Sequence, residues 1–192
     1  MILRQSPAAD ECRAITLNKQ HMTSTTPKTY VSTYERYANG SLAGKWIELD
    51  QFSSANDFIK HCYKLFNDEE LMFQDWENVP DFLVDEIMSK NKLERLFEFL
   101  CMDDTDKSII VAYVDATGNT EVEFCDVFES YFGVANSEAE FAEDYVKQRY
   151  PEVNKLPDFI VIDWQGVWES YLQYDFYVGK DEQGEKHFFY QG

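Results

Sequence analysis

Carboxylates are the side chains of this sequence with the greatest capacity for chemistry. The stretch from Leu96 to Val146 holds thirteen Asp and Glu residues and a single base, Lys107. Aromatic and aliphatic residues are interleaved with the acids, whereas acidic segments that stay disordered lack them. We therefore expect a folded element that holds many negative charges on a fixed surface. The expected acidic surface comprises Glu98, Asp103, Asp104, Asp106, Asp115, Glu123, Asp126, Glu129, Glu138, Glu140, Glu143 and Asp144.

Two segments within this stretch have the form of a helix capping box. Residues 120–123 and 137–140 both match Ser/Thr-x-x-Glu, in which the hydroxyl and the carboxylate satisfy free backbone N–H groups. The positive end of a helix dipole also attracts acidic side chains. Four of the acids therefore have a local structural role as well, namely Glu121, Glu123, Glu138 and Glu140.

The helix predicted after Thr120 has two distinct faces. On a helical wheel, Glu123, Asp126 and Glu129 fall on one arc. The opposite arc is apolar and predicts a helix-packing role for its aromatic residues. Gly133 is expected to end this helix in a left-handed conformation. The apolar arc consists of Phe124, Val127, Phe128, Tyr131 and Phe132.

The residue patterns of common catalytic and metal sites are missing. His21, His61 and His187 are isolated, and none belongs to an H-E-x-x-H or E-x-x-H arrangement. His61 and Cys62 are neighbours, but adjacent side chains on a helix point about 100° apart, which disfavours a nucleophile–base pair. No glycine-rich phosphate loop is present, and no carboxylate pair has a spacing that indicates a hydrolase. The sequence therefore gives no support for a zinc, di-iron or hydrolase site, and we expect no enzyme activity, cofactor or metal, as the family resemblance described below also implies.

A calcium loop is the nearest approach to a metal motif. The segment from Asp115 to Glu121 places oxygen-bearing side chains at loop positions 1, 3, 5 and 7. Thr120, however, occupies position 6, where glycine is needed, and Asp126 rather than Glu occupies position 12. An acidic module that binds calcium or a basic protein stays open as the alternative function.

Composition limits the partners of the protein. With 192 residues, 44% of them hydrophobic, the chain can build a packed core. Its net charge of −19 repels nucleic acid and anionic membranes and attracts basic proteins. No apolar run approaches the roughly 20 residues of a membrane span, and no secretory signal begins the chain. We expect a cytoplasmic protein whose four separated cysteines are reduced and buried.

Hydrophobic periodicity predicts an α+β fold. Met1 to Lys28 has no apolar period and is expected to be a disordered extension, with Met22 as a possible natural start. The rest alternates short strands with amphipathic helices. Strands are predicted at Thr29–Tyr34, Gly44–Leu49, Leu71–Trp76, Phe176–Val178 and His187–Tyr190, and helices from Ser54 to Phe66, Pro80 to Ser89, Asn91 to Leu100, Thr105 to Asp115, Thr120 to Phe132, Ser137 onwards and Trp164 to Leu172.

A folded acidic surface can compete with DNA for a basic groove. Duplex DNA carries about one negative charge per 1.7 Å of its axis. Without the N-terminal extension the chain has 34 acids and 13 bases, and its net charge of −21 equals that of about 36 Å of duplex. Such charge acts collectively, so we expect single neutral substitutions to weaken binding slightly and combined reversals to weaken it strongly.

Ordered motifs along the chain resemble those of ArdA-type antirestriction proteins. Thr26-Pro27, Tyr30-Val31 and the run from Tyr34 through Asn39-Gly40-Ser41-Leu42-Ala43-Gly44-Lys45-Trp46 are similar to the opening of that family. Matches continue at Met72–Asn78, Leu156-Pro157, Ile162-Asp163-Trp164 and Asp175-Phe176. A further segment resembles the family's antirestriction motif and contains Phe128, Glu129, Tyr131, Phe132, Gly133, Ser137, Phe141 and Ala142.

The resemblance implies an elongated molecule of three small domains and a specific partner. ArdA-type proteins are carried by mobile genetic elements, form acidic homodimers that mimic bent B-form DNA, and act in the bacterial cytoplasm. They occupy the DNA-binding groove of the methyltransferase core of type I restriction–modification enzymes, without catalysis. The corresponding division of this chain is an extension at 1–28, an α/β domain at 29–90, a helical middle domain at 91–133 and an α/β domain at 134–192.

Overall fold

The structure is a computed structural model that describes residues 26–85, 87–157 and 159–192. Most of the expected N-terminal extension, including Met22, lies outside these ranges. The predicted end of the extension, at Lys28, is wrong. Lys28 already begins the first strand, because the hydrogen-bonded ladder reaches this residue and pairs it with both Glu48 and Glu77.

The described residues form two compact units, which divide after Met102. Each unit contains helices and one three-stranded antiparallel sheet, which confirms the mixed α+β class. The division into three elongated domains stays a prediction. Within the described part of the chain, none of the helices combines the length and the apolar character that crossing a bilayer requires.

The first unit is a sheet with two longer helices. Strand β1 is central and pairs with β2 on one side and β3 on the other. Helix α2 starts where the Ser54 side chain accepts a hydrogen bond from the Asp57 N–H, as the sequence predicts. The elements are β1 (Lys28–Thr33), α1 (Tyr34–Ala38), β2 (Lys45–Glu48), α2 (Ala55–Phe66), β3 (Leu71–Glu77) and α3 (Lys90–Cys101), with short 3-10 helices at Leu49–Gln51 and Asp81–Leu83.

Aromatic contacts join the elements of this unit. Phe58 of α2 is fully buried, and its ring lies 6.0 Å from that of Phe73 on β3 and 5.7 Å from that of Phe97 on α3. Leu93, Leu96 and Phe97 are buried at the helical spacing that predicted α3. Helix α3, assigned to a middle domain from the sequence, therefore packs in the first unit.

The prediction of a helix from Pro80 to Ser89 is wrong. Only the short 3-10 helix Asp81–Leu83 forms there, and Val84 is already extended. Leu83 is buried, but Ile87, one helical turn later, is 75% exposed, so the segment has no continuous apolar face to bury. Ser89 begins the next helix as the N-cap of α3 instead.

The cysteines only partly follow the prediction of burial. Cys62 is buried in α2, and the loss of solvent raises the pKa of its thiol to about 12, so it stays protonated. Cys12 lies outside the described residues, and Cys101 and Cys125 are exposed. Both occupy helix positions outside the apolar stripe, so burial does not follow from residue type.

The second unit has a sheet covered by helices on both faces. Strand β6 is central, between β4 and β5. Its neighbouring residues Phe188 and Phe189 point to opposite faces, and neither has any exposed surface. The elements are α4 (Asp104–Thr117), α5 (Phe124–Ser130), β4 (Tyr131–Ala135), α6 (Glu138–Arg149), a 3-10 helix (Pro151–Lys155), α7 (Trp164–Ser170), a 3-10 helix (Leu172–Tyr174), β5 (Phe176–Lys180) and β6 (Lys186–Tyr190).

Phe188 faces the aromatic core formed with α6 and α7. Its ring stacks on Phe141 with centroids 3.9 Å apart and meets Trp168 edge-on at 5.6 Å. Phe189 faces the other side and meets Tyr113 of α4 edge-on at 5.2 Å. Such pairs add about 0.5–1.5 kcal/mol each to the stabilisation from buried area.

Helix α4 approaches strand β5 so closely that only glycine fits at position 179. A Cβ added there would lie 1.8 Å from the carbonyl oxygen of Ala112, a backbone atom that cannot rotate away. The Asp115 carboxylate fixes the same contact by accepting a hydrogen bond of 2.9 Å from the Lys180 N–H.

The helix predicted through Phe132 ends earlier, at Ser130. Tyr131, Phe132 and Gly133 belong to strand β4, so the prediction that Gly133 caps a helix is wrong. Pairing with β6 overrides the local helical period, because Tyr131 faces Phe189 across the ladder. Gly133 lies at an irregularity in the register and has a φ of +150°, which favours glycine.

The capping box predicted at Thr120 is also wrong. Helix α5 begins at Phe124, with Glu123 as its N-cap and no hydrogen bond from a capping side chain. The Asn119 side chain instead accepts a hydrogen bond from the Glu121 N–H, which holds the segment as a turn. Half of the second box forms: Ser137 accepts a hydrogen bond from the Glu140 N–H, but the Glu140 carboxylate accepts from the N–H of Asn136 and not from that of Ser137.

Replacing Phe188 with alanine tests the central place of β6 in the second unit. The substitution removes a fully buried ring, and we expect the free energy of unfolding to fall by about 3–5 kcal/mol. Tyr174→Ala is the matched control, because its ring is 70% exposed and its loss should change stability by less than about 0.5 kcal/mol. Urea unfolding measures both, and equal losses would contradict the assignment of the core.

Candidate functional site

Helix α5 carries the clearest part of the acidic surface. It buries Phe124 and Val127 and leaves Glu123, Asp126 and Glu129 exposed, as its helical period predicts. Side chains three residues apart on a helix lie about 5–6 Å from one another. The helix thus fixes three carboxylates in a row.

Acids at both ends of α4 make hydrogen bonds within the unit. Asp103 is the N-cap of this helix and accepts a hydrogen bond of 2.9 Å from the Asp106 N–H. Asp104 follows it in the first turn and is exposed, whereas Asp106 is half-buried. Asp115 is exposed near the C-terminal end, where it bonds to the Lys180 backbone. These carboxylates combine a structural role with display of charge.

Two acids of α6 are paired with lysines. Glu138 and Lys186 form an ion pair of 2.7 Å, and Glu143 pairs with Lys147 one helical turn later. The Lys186 hydrogen bond holds the pKa of Glu138 below its ordinary value, although partial burial opposes this shift. Pairing reduces the negative charge that these two acids can offer to a partner.

The other acids of α6 face the solvent. Glu140 is exposed, and its carboxylate accepts hydrogen bonds of 2.8 Å from both the backbone and the side-chain nitrogen of Asn136. The Glu140 carboxylate thus bonds to Asn136, the residue before Ser137, although the capping box predicts a bond to the Ser137 N–H. Asp144 is exposed on the same helix.

The structure places eleven of the twelve predicted acids in the second unit. Glu98 is the exception, since it is exposed on α3 in the first unit. Residues 103–192 contain 20 acids and 6 bases, and the segment 108–146 contains no Lys, Arg or His. Most of the negative charge of the chain is therefore concentrated in the second unit.

Glu121 is a member of this surface that the sequence analysis omitted. It was assigned to a capping box, but α5 starts later and Glu121 is exposed on the preceding turn. The interrupting Gly118, which ends α4 in a left-handed conformation, is the sequence signal that could have revealed the turn.

The segment from Asp115 to Asp126 does not fold as a calcium loop. Helix α4 continues through Asp115 to Thr117, so the first three loop positions are helical. Asp115 and Asn119, at positions 1 and 5, each accept a backbone hydrogen bond instead of facing a common point.

The residues of the antirestriction-like motif mostly build the second unit. Phe141 and Ala142 are buried in its core, and Ser137 caps α6. Phe132 is 48% exposed, yet its ring lies 5.3 Å from those of Tyr145 and Phe176. The motif describes the α5–β4–α6 connection, in which Phe128 is half-buried and Glu129 exposed.

Tyr131 of the same motif lies on the opposite face of the sheet. Its hydroxyl is 3.3 Å from Nδ1 of His187. Burial and the nearby carboxylates of Glu185 and Asp181 raise the pKa of the phenol, which therefore stays protonated at neutral pH.

The Glu138–Lys186 pair predicts a pH-dependent contribution to stability. A carboxyl whose folded pKa lies below its ordinary value of 4.5 stabilises the fold above that pH, and the contribution disappears as the pH falls through the folded pKa. We expect Glu138→Gln to lower the free energy of unfolding by about 0.5–1 kcal/mol at pH 7.

Urea unfolding at several pH values measures this effect. The difference between the wild type and Glu138→Gln should shrink as the pH falls below 4.5. Glu129→Gln, an exposed substitution in the same unit, is the control and should change stability by less than about 0.5 kcal/mol. A loss in Glu138→Gln that is the same at every pH would rule out the ion pair as its cause.

A model of a known protein family matches most of the chain. A comparison with curated proteins finds no match to the chain. The family model described as "Antirestriction protein (ArdA)" matches residues 29–182, which include the first sheet except Lys28, strands β4 and β5 of the second sheet but not β6, and all twelve predicted acids. The family is one of inhibitor proteins, which implies an antirestriction function and an interaction with restriction–modification enzymes. The chain belongs to the ArdA antirestriction protein family.

Proposed function

We propose that this protein inhibits type I restriction–modification enzymes by presenting carboxylates in place of DNA phosphates. The observation that carries the proposal is the 108–146 segment, which has nine acids, no base, and a rigid packed scaffold. The inhibitor occupies the DNA-binding groove of the methyltransferase core without catalysing a reaction. It binds no nucleic acid, because its own charge repels phosphates.

The net charge of the second unit corresponds to that of a short length of duplex DNA. Its net charge of −14 equals that of about 24 Å of duplex. The side chains of Asp126 and Glu129 leave α5 from Cβ atoms about 5–6 Å apart, comparable with the spacing of phosphates along a strand. Phe124 and Val127 are buried and hold the α5 backbone in place. Little backbone conformational entropy is therefore lost when the carboxylates of this helix bind a partner.

Exposure of these carboxylates determines how they act. Solvent and salt screen each charge, so no single carboxylate dominates the attraction to a basic groove. Salt screens ion pairs between these carboxylates and a basic groove, as it weakens contacts to DNA phosphates. Direct binding of the protein to the enzyme should therefore weaken with rising ionic strength.

A matched pair of fourfold substitutions tests the proposal. The first set replaces Glu123, Asp126, Glu129 and Asp144 with Gln or Asn, and the second replaces Glu152, Glu169, Asp175 and Glu182 in the same way. All eight side chains are exposed and lie in the second unit, and both sets change the net charge equally. We expect the first set to weaken inhibition at least tenfold and the second less than threefold. Asp126→Asn alone should weaken it by no more than about twofold.

Competition with DNA for a purified type I methyltransferase core measures these effects. Plating of unmodified phage on a restricting strain gives the corresponding result in cells. Equal losses from the two sets would mean that only the total charge matters. The proposal fails for that enzyme if the wild-type protein neither competes with DNA nor protects the phage. If the protein then also binds an unrelated basic protein, the alternative of a general basic-protein-binding module would replace the proposal.

We also propose that the protein acts as a homodimer in the cytoplasm of a bacterial host and is encoded by a mobile element. The resemblance to the family supports this assembly. Phe159 and Val161 are 83% and 90% exposed, and apolar side chains exposed to this degree support the existence of a covered surface. Sedimentation equilibrium should give the mass of two chains, and a monomer at the concentration that inhibits would contradict the dimer.

A further inference from the structure

Three potential metal ligands meet at the turn between β5 and β6. Asp181 and His187 are buried and Glu185 is exposed, and one ligand atom of each lies within 4.8 Å of the other two. Glu185 and His187 are two residues apart on one chain segment, so their side chains point to the same face. The hairpin brings Asp181 beside them from the other strand.

The imidazole of His187 has an unsatisfied nitrogen in this cluster. The residue is only 3% exposed, and its Nε2 makes no hydrogen bond. Buried polar atoms are rarely left without a partner, because the loss of water costs about 1–3 kcal/mol. The Asp181 carboxylate is its nearest partner and pairs with it only when the imidazole is protonated, so Nε2 of the neutral imidazole is available to a ligand.

The distance to the nearest carboxylate fits two ligands of one ion. Nε2 of His187 lies 3.5 Å from Oδ2 of Asp181. This separation exceeds the ordinary N–H···O distance of about 2.9 Å. Two ligands of a tetrahedral zinc ion, each about 2.0–2.1 Å from the metal, are about 3.4 Å apart. The pair is thus spaced for coordination of a shared ion.

Neighbouring groups orient both ligands. Nδ1 of His187 lies 3.3 Å from the Tyr131 hydroxyl, and a proton held on Nδ1 leaves Nε2 free to bind a metal. The other oxygen of Asp181 accepts hydrogen bonds of 3.0 and 2.8 Å from the N–H groups of Gln183 and Glu185. These bonds leave Oδ2 directed at His187.

Positive side chains are directed away from the cluster. Lys180 and Lys186 face each other across the hairpin on the opposite side of the sheet, where Lys186 pairs with Glu138. The two carboxylates would balance the charge of a divalent cation. Glu185 is exposed, so water can complete the coordination.

We propose that Asp181, Glu185 and His187 form a binding site for a divalent transition-metal ion, with zinc as the favoured metal. One imidazole and two carboxylates suit zinc better than calcium, which prefers oxygen ligands alone. A bound ion would join the β5–β6 turn to the central strand and stabilise the second unit. This role is independent of restriction inhibition.

Calorimetric titration of the full chain with zinc chloride, after treatment with a chelator and under reducing conditions, tests the site. We expect one site that is lost or at least tenfold weaker in Glu185→Gln and in Asp181→Asn. Glu182→Gln is the matched control, because it removes the same charge from an exposed residue in the same turn and should leave the affinity unchanged. Calcium should bind this site at least a hundredfold more weakly than zinc.

Two further measurements separate the site from other zinc-binding groups. Cobalt bound in place of zinc should show ligand-field bands without a thiolate charge-transfer band, which excludes coordination by the cysteines. Zinc at a hundredfold excess over its dissociation constant should raise the melting temperature by at least about 5 °C in the wild type but not in Glu185→Gln.

The proposal is overturned if no zinc binds at concentrations up to 1 mM, which is a rough upper limit for a specific site. Equal weakening in Glu182→Gln and Glu185→Gln, or binding that survives both ligand substitutions, would also overturn it.

Discussion

Burial of strand β6 on both of its faces is the constraint on which the second unit depends. Phe188 and Phe189 are both inaccessible to solvent, so helices must cover each side of the sheet. The helices that cover it, α4, α5 and α6, carry the acidic residues on their outer faces. A core dominated by aromatic side chains therefore holds the carboxylates in fixed positions, despite their mutual repulsion.

Some contacts within this arrangement have two roles. Asp115 contributes negative charge and also bonds α4 to the backbone of β5, next to the glycine that permits their close approach. Glu138 and Glu143, by contrast, are partly neutralised by lysines. The negative charge is thus unevenly distributed over the acidic surface. It is strongest on α5 and the turn before it, where no base occurs in the sequence.

Local patterns predicted most helices because α2 and α3 have a strong apolar period and α2, α3, α4 and α6 each begin at a capping side chain. Ser54 and Ser137 begin their helices as expected, and the predicted hairpin at the C-terminal end forms. The acidic arc of α5 followed from the same periodicity. Predictions failed where a long-range contact was stronger than the local preference, as at Tyr131, which pairs with Phe189 rather than continuing a helix.

The sequence by itself determined the sign and density of the charge, the mixed α+β class and the motifs of the antirestriction family. These properties depend on composition and on residues close together in the chain. Only the tertiary structure decided that α3 packs against α2, that Glu121 faces the solvent, and that His187 meets Asp181 and Glu185. The reason is physical: strand pairing and core packing join residues that are distant in sequence, and no local period encodes which partners they meet.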